Sequence, residues 1–347
     1  MKKVMCFFIM LTSMLTQNKN VNNTKYYVKS YIVLDFNSGK VLEGKDINLV
    51  RSVASISKIM TAIVAIENSK LDDYVEVNED ILKAYGSSIY LKIGEVVKME
   101  DLLYGLMLRS GNDAAVTIAR GVSGNISDFV ALMNEKAKKI GMNNSTFNNP
   151  SGLDIDDAGN LSTSYDMSIL MKYALNNEIF RRITSTKEYK SNGHGVWTNK
   201  NRLLREYSNT SGGKTGFTTK ARRTLVTSAK KDSTELIVVT LDCGGDFSFH
   251  KELYEKYFSK YKTFNLLNKG VNYINDYELN CETNISILLE KDLIKSSEIL
   301  YEIRNEETEV SLITNNEKNS IGVCKSKKIE NYKKKKNWFK RIFKKNN

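Results

Sequence analysis

Three short segments carry the residue types of nucleophilic acyl chemistry: Ser55-Ile56-Ser57-Lys58, Ser110-Gly111-Asn112 and Lys214-Thr215-Gly216. A serine hydroxyl attacks a carbonyl only when a neighbouring base takes its proton. Lysine can be that base when burial or a nearby cation lowers its pKa. Ser55 and Lys58 open the apolar run Ser55 to Glu67, and side chains at i and i+3 of a helix share a face. Lys58 therefore has an apolar surround, and Lys214 is a second cation that could face it. The helix start beside Ser55 offers backbone N–H groups to an oxyanion. Lys214 and Thr215 can hold a carboxylate by charge-assisted hydrogen bonds. Gly216 lets backbone approach a bound ligand closely.

Each segment alone has a plainer reading. Ser55 suits a helix N-cap, Lys58 a solvated charge, Ser110 to Asn112 a turn ending a helix, and Lys214 to Gly216 a surface turn. S-x-x-K also occurs at Ser211/Lys214, Ser228/Lys231 and Ser259/Lys262, and a second Ser-Gly-Asn stands at Ser123 to Asn125. Only Ser55 and Lys58 open an apolar helical run, and K-T-G occurs once. The ordered conjunction, each member in a suitable local setting, favours a site. Other chemistries drop out. There is no G-x-S-x-G, P-loop, G-x-G-x-x-G or HExxH, and two histidines leave few ways to build a Ser-His-Asp triad. No cofactor or metal is expected, since Cys243, Cys281 and Cys324 lack CxxC spacing and His194 and His250 do not sit at ligand spacing. One disulfide among those cysteines stays open.

The elements that must position these residues follow from periodicity. Ser30 to Gly44 alternates around Asn37-Ser38-Gly39 and predicts a β-hairpin. Ser55 to Glu67 is apolar all round and predicts a buried central helix. Asp101 to Arg120, Ser127 to Ile140 and Ser164 to Asn176 predict further helices. Thr224 to Ala229 and Glu235 to Asp242, separated by Lys-Lys-Asp, predict a second hairpin. Strands at both ends with helices between them imply one sheet assembled from distant pieces and packed against helices. After the helix-like KELYEKYFSKY comes a boundary near Tyr261 to Leu267. Beyond it Asn284 to Leu289, Ile299 to Ile303, Glu309 to Thr314 and Ser320 to Cys324 predict a small all-β module.

The bulk numbers suit a globular chain, with 41% hydrophobic and 27% charged residues in 347. The net charge of +12 is concentrated in a tail, where eleven basic residues from Lys325 onward face the one acid Glu330. No nucleic-acid partner is expected. Lys2 and Lys3 ahead of the apolar run Val4 to Leu15 predict a signal peptide or N-terminal anchor over 1–22, hence export. Trp338, Phe339, Ile342 and Phe343 among lysines predict a basic amphipathic tail over 331–347 that lies on an anionic membrane surface.

At the three motifs the chain resembles the penicillin-binding serine D,D-peptidases, specifically the low-molecular-mass D-alanyl-D-alanine carboxypeptidases. ASISKIMTA, LMLRSGNDAA, GMNNSTFNNPSGL, LSTSYDM and GGKTGFT look like that family's signatures in its order, from about Ser30 to Tyr261. The resemblance implies an α+β fold: a β-lactamase/transpeptidase-like domain over 25–262, with an antiparallel sheet, helices on both sides and a helical subdomain. A small β-rich domain follows over 263–330. It implies that Ser55 forms an acyl-enzyme, Lys58 accepts its proton, Ser110 relays protons and Asn112 positions the substrate amide. Lys214 and Thr215, with Gly216, would bind the terminal carboxylate, and the N–H groups of Ser55 and Phe217 would form the oxyanion hole.

The implied reaction removes the terminal D-alanine from peptidoglycan stem peptides, with β-lactams acylating the same serine. Many members continue the K-T-G strand with Ala-Gly, whereas this chain has Ala221-Arg222-Arg223. That variant looks most like the sporulation-associated branch of endospore-forming Firmicutes, which acts on spore cortex. Three alternatives stand beside this reading. A serine β-lactamase would show E-x-x-L-N after the second motif, and Gly141 to Asn177 holds none. A non-catalytic wall or membrane scaffold would show a damaged motif, and none is damaged. An endopeptidase would act on cross-links.

Overall fold

The structure, a computed structural model, describes residues 25–154, 159–304, 306–315 and 317–329. The expected export segment and basic tail lie outside the described residues. Strand β1 (Val28–Asp35) turns back into β2 (Val41–Lys45). The turn is held by Asp35, whose carboxylate accepts from the Ser38 amide at 2.8 Å and hydroxyl at 2.6 Å, with Gly39 at φ +74°. The main helices of the segment that follows are α1 (Lys58–Asn68), α2 (Met99–Tyr104), α3 (Asn112–Ser123), α4 (Ile126–Lys139), α5 (Ser164–Leu175) and α6 (Glu178–Ser185). The chain then returns to the sheet as β3 (Thr210–Thr218), β4 (Arg222–Lys231) and β5 (Thr234–Cys243), and ends the domain with α7 (Asp246–Lys260).

The sheet is antiparallel in the order β2-β1-β5-β4-β3, so the first strand pairs with the last. Every residue of β5 except Asp242 is buried, because helices cover both faces. Ile237, Val239 and Leu241 join the core beneath α1 and α5, whereas Leu236 and Val238 join Phe249, Leu253, Tyr254 and Phe258 of α7. The two-residue alternation of the strand thus feeds two cores. Helix α1 is buried from Lys58 to Ala65, as its all-round hydrophobicity predicts. His250 is a core residue, bonded through Nδ1 to Thr227 and through Nε2 to Thr240.

The structure departs from expectation at two places that shape the site. The helix expected over Asp101 to Arg120 is broken: α2 passes into a π-helical turn, Gly105–Arg109, and Ser110 adopts φ +64° before α3 begins. The K-T-G segment, expected before the strand hairpin, lies inside edge strand β3.

Beyond α7 the chain forms β6 (Tyr261–Leu267), β7 (Gly270–Ile274), β8 (Tyr277–Cys281), β9 (Ile285–Glu290), β10 (Ser297–Arg304), β11 (Glu307–Thr314) and β12 (Glu317–Lys328). Strand β6 pairs with β9, and the others form a sheet ordered β7-β8-β12-β11-β10. Three of these strands, β6 to β8, were not expected from the sequence. Cys281 and Cys324 form a disulfide that ties β8 to β12, which settles the open cysteine question. Among the described residues no helix is long and apolar enough to cross a membrane.

Candidate active site

Ser55 lies in a 3-10 turn, Ala54–Ser57, that runs directly into α1. Ala54 before it has φ +51°, a left-handed conformation that costs a non-glycine residue about 1–2 kcal/mol. Such an outlier persists only where its surroundings hold it. Here Ala54 is fully buried, its carbonyl accepts from the Ser57 hydroxyl at 2.7 Å, and Gly152 is pressed against it so tightly that a Cβ would stand 2.1 Å from that oxygen. The α-helix itself starts at Lys58, not at Ser55, and the Ser57 hydroxyl, committed to the Ala54 carbonyl, makes no capping bond to the helix amides.

Lys58 is fully buried. Its Nζ stands 3.0 Å from Ser55 Oγ and 2.7 Å from Asn112 Oδ1, and it also bonds the Ser151 carbonyl. The amide orientation of Asn112 is fixed because its Nδ2 donates to the Tyr85 carbonyl. Two of the three partners can only accept. A neutral amine therefore spends its two N–H groups on Asn112 and Ser151, and its lone pair is left facing the Ser55 hydroxyl. Burial pushes the Lys58 ammonium down to about 7; the nearby Lys200 charge adds to this and Asp113 opposes it.

Lys214 does not reach Ser55. Its Nζ donates to Ser110 Oγ at 2.9 Å and to the Thr215 carbonyl at 2.8 Å. Burial, then the charges of Lys58 and Lys200, hold it well below the ordinary lysine range. The two lysines thus bond different serines, Lys58 to Ser55 and Lys214 to Ser110. The left-handed backbone at Ser110 aims that hydroxyl at Lys214. Edge strand β3 passes close to Ser55: a Cβ on Gly216 would stand 3.0 Å from the Ser55 amide nitrogen and 3.1 Å from that of Ile56.

Ser55, Ser110, Thr215, Gly216 and Phe217 line one pocket of about 300 Å³, together with Ser87, Lys200, Arg223, Asp246 and Phe247. All eight residues named from the motifs are therefore gathered in and around one cleft. A groove of about 330 Å³ bounded by Tyr74, Glu95 and Tyr189 is comparable in size but holds no serine–lysine pair. Sequence reasoning missed Lys200, which bonds Ser87 Oγ at 2.9 Å and whose pKa burial and Arg109 lower. It missed Asp113, which accepts from Ser88 Oγ and from the amides of Ile89 and Leu91 and so braces the Ser87 segment. Asp113 had a signal, since it directly follows Ser-Gly-Asn; Lys200 had none. Among the described residues no three His, Cys, Asp or Glu side chains group to hold a metal.

A serine bonded to a buried lysine, at the start of a central helix and beside the edge of an antiparallel sheet, is the arrangement of the serine–lysine acyl-transfer proteins. Residues 17–245 match the family model described as D-alanyl-D-alanine carboxypeptidase, and the chain belongs to that family. It is 36% identical over 230 residues to D-alanyl-D-alanine carboxypeptidase DacF of Bacillus subtilis (strain 168), a match covering 64% of this chain and 59% of that relative's length. The solved D-alanyl-D-alanine carboxypeptidase of Mycobacterium tuberculosis H37Rv is 31% identical with a TM-score of 0.63, over 67% of this chain and 91% of that one. Penicillin binding protein 5 of Haemophilus influenzae is 25% identical with a TM-score of 0.74, over 87% and 96%. The expected α+β fold is that of these penicillin-binding proteins.

Proposed function

We propose that this chain is a serine D-Ala-D-Ala carboxypeptidase acting on peptidoglycan stem peptides. The observation that carries the reading is the Lys58 Nζ to Ser55 Oγ contact of 3.0 Å, made by a lysine with no solvent exposure. Lys58 takes the Ser55 proton as Oγ attacks the carbonyl of the penultimate D-alanine. The oxyanion faces the amides of Ser55 and Phe217, where β3 crowds the helix start. Ser110, bonded to Lys214, relays the proton taken up by Lys58 to the departing D-alanine nitrogen, which returns Lys58 to its neutral amine. Asn112 orients the substrate amide, while Lys214 and Thr215 hold the terminal carboxylate. Water then cleaves the ester, with Lys58 again the proton acceptor.

Export of the chain is part of this proposal. The Cys281–Cys324 disulfide supports it, because such bonds persist in oxidising compartments. Attachment of the 331–347 tail to anionic lipid and action on spore cortex belong to it as well, on the sequence features given above. The test is release of D-alanine from a diacyl-Lys-D-Ala-D-Ala tripeptide together with labelling by a fluorescent penicillin. Wild type should do both and Ser55→Ala neither. Labelling without D-alanine release would favour a scaffold or an endopeptidase, and rapid penicillin turnover a β-lactamase.

A further inference from the structure

The catalytic pocket has a wall that the three motifs do not supply: Arg223 on β4, with Asp246 and Phe247 at the start of α7. Strand register places Arg223 opposite Phe217 and Leu225 opposite Thr215. Arg223 is therefore the diagonal neighbour of Thr215 on the same sheet face, and such pairs stand about 7–8 Å apart, within reach of a long side chain. The guanidinium is held in place from behind. Its Nη2 and Nε donate to Asp246 Oδ1 at 2.7 and 3.2 Å, and it lies over the Phe247 ring with Cζ 5.6 Å from the centroid. Asp246 is 2% exposed and also takes the Phe247 amide at 2.9 Å, so this support is rigid. Arginine has five N–H donors. Two are used on Asp246, and the other three have no protein acceptor among the described residues, although Arg223 lines the pocket.

A second cation beside Lys214 would strengthen the hold on a carboxylate in this pocket. Lys214 is 1% exposed, already gives N–H bonds to Ser110 and the Thr215 carbonyl, and is held toward its neutral form by burial. Arginine stays charged and matches a carboxylate with two parallel donors.

We propose that Arg223 is a second anchor for the terminal carboxylate of the substrate, shared with Thr215, and that it sets the preference for a free C-terminal acid. This rests on the carboxypeptidase reading and adds a specificity-determining residue to it. The same anchor would take the carboxylate of a penicillin, which allows a test that needs no D-alanine release. The measurement is the second-order acylation rate of Ser55 by a penicillin and by its methyl ester, in wild type, Arg223→Gln and Arg223→Lys.

Loss of one charge-assisted contact should slow acylation by the acid roughly ten- to a hundredfold in Arg223→Gln and leave the ester rate unchanged. Arg223→Lys should fall between, and it carries the test alone if Arg223→Gln does not fold with Asp246 unpaired. Equal losses for acid and ester, or no loss for either, would overturn the proposal, since a merely structural arginine cannot distinguish the two compounds. A wild type that neither compound acylates would overturn the carboxypeptidase reading instead.

Discussion

In the proposed reaction, burial makes Lys58 a base and also sets the pH at which it works. Its ammonium is depressed to about 7, chiefly because the surrounding protein solvates the charge poorly. Below that value the amine holds its proton and cannot accept the one on Ser55. Acylation by penicillin should therefore rise with pH through a midpoint of about 7, measured as a pH profile of the second-order rate. Lys200 contributes to the depression through its charge. Lys200→Gln removes a repulsive neighbour, so the midpoint should move to higher pH; an unmoved midpoint would leave burial as the sole cause. Lys58→Met should cost roughly 10²–10⁴-fold in acylation, the usual contribution of a positioned general base. The same shift bears on stability. The unfolded chain binds the proton up to about 10.5 and the folded chain only up to about 7, so this residue makes stability rise with pH across that window and costs most below it.

The site residues come from elements that were unequally legible. Helix α1 was plain, because the apolar run after Lys58 predicts a buried helix, although the expected start at Ser55 is taken by a 3-10 turn. The break after Arg109 was not. The apolar periodicity of Asp101 to Arg120 runs straight through it, and the π-turn and left-handed Ser110 are imposed by packing that no local pattern encodes. Strand β3 was hidden by Gly212, Gly213 and Gly216, which lower strand propensity; its extension comes from pairing with β4 along the whole segment. Lys200 sits in an irregular stretch whose amide is pinned to the Leu108 carbonyl at 3.0 Å, a contact between distant parts of the chain.

The glycines of β3 have a purpose that the fold makes visible. A Cβ on Gly216 would meet Thr224 Oγ1 at 2.4 Å and the Ser55 amide at 3.0 Å. Gly216→Ala should push the strand away from the nucleophile and slow acylation by roughly a hundredfold, the order that a misplacement of about 1 Å can cost. Because β3 is an edge strand, the melting temperature should change little. A large loss of melting temperature alongside normal acylation would contradict this account.

The molecule divides into a large unit with two cores and a β-rich unit with a small one. The latter buries Leu267, Leu279, Ile285, Val310 and the two disulfide cysteines, and none of its residues lines the catalytic pocket. Contacts between the units include polar ones: the Thr263 amide to Thr234 Oγ1 at 2.8 Å, Lys291 Nζ to the Phe258 carbonyl at 2.9 Å, and the ion pair Lys260–Glu290 at 3.4 Å. A small core of this kind depends on a covalent staple. The Cys281–Cys324 bond closes 43 residues of chain, for which loop entropy gives a stabilisation of roughly 2–4 kcal/mol. Cys281→Ser with Cys324→Ser should therefore split a first, low-temperature transition from the main unfolding step in calorimetry. The catalytic unit keeps its own core, so the rate of penicillin acylation at Ser55 below the main transition should equal that of wild type. If acylation instead disappeared together with the first transition, the β-rich unit would be holding the catalytic cleft in shape, and the two units would form one cooperative whole.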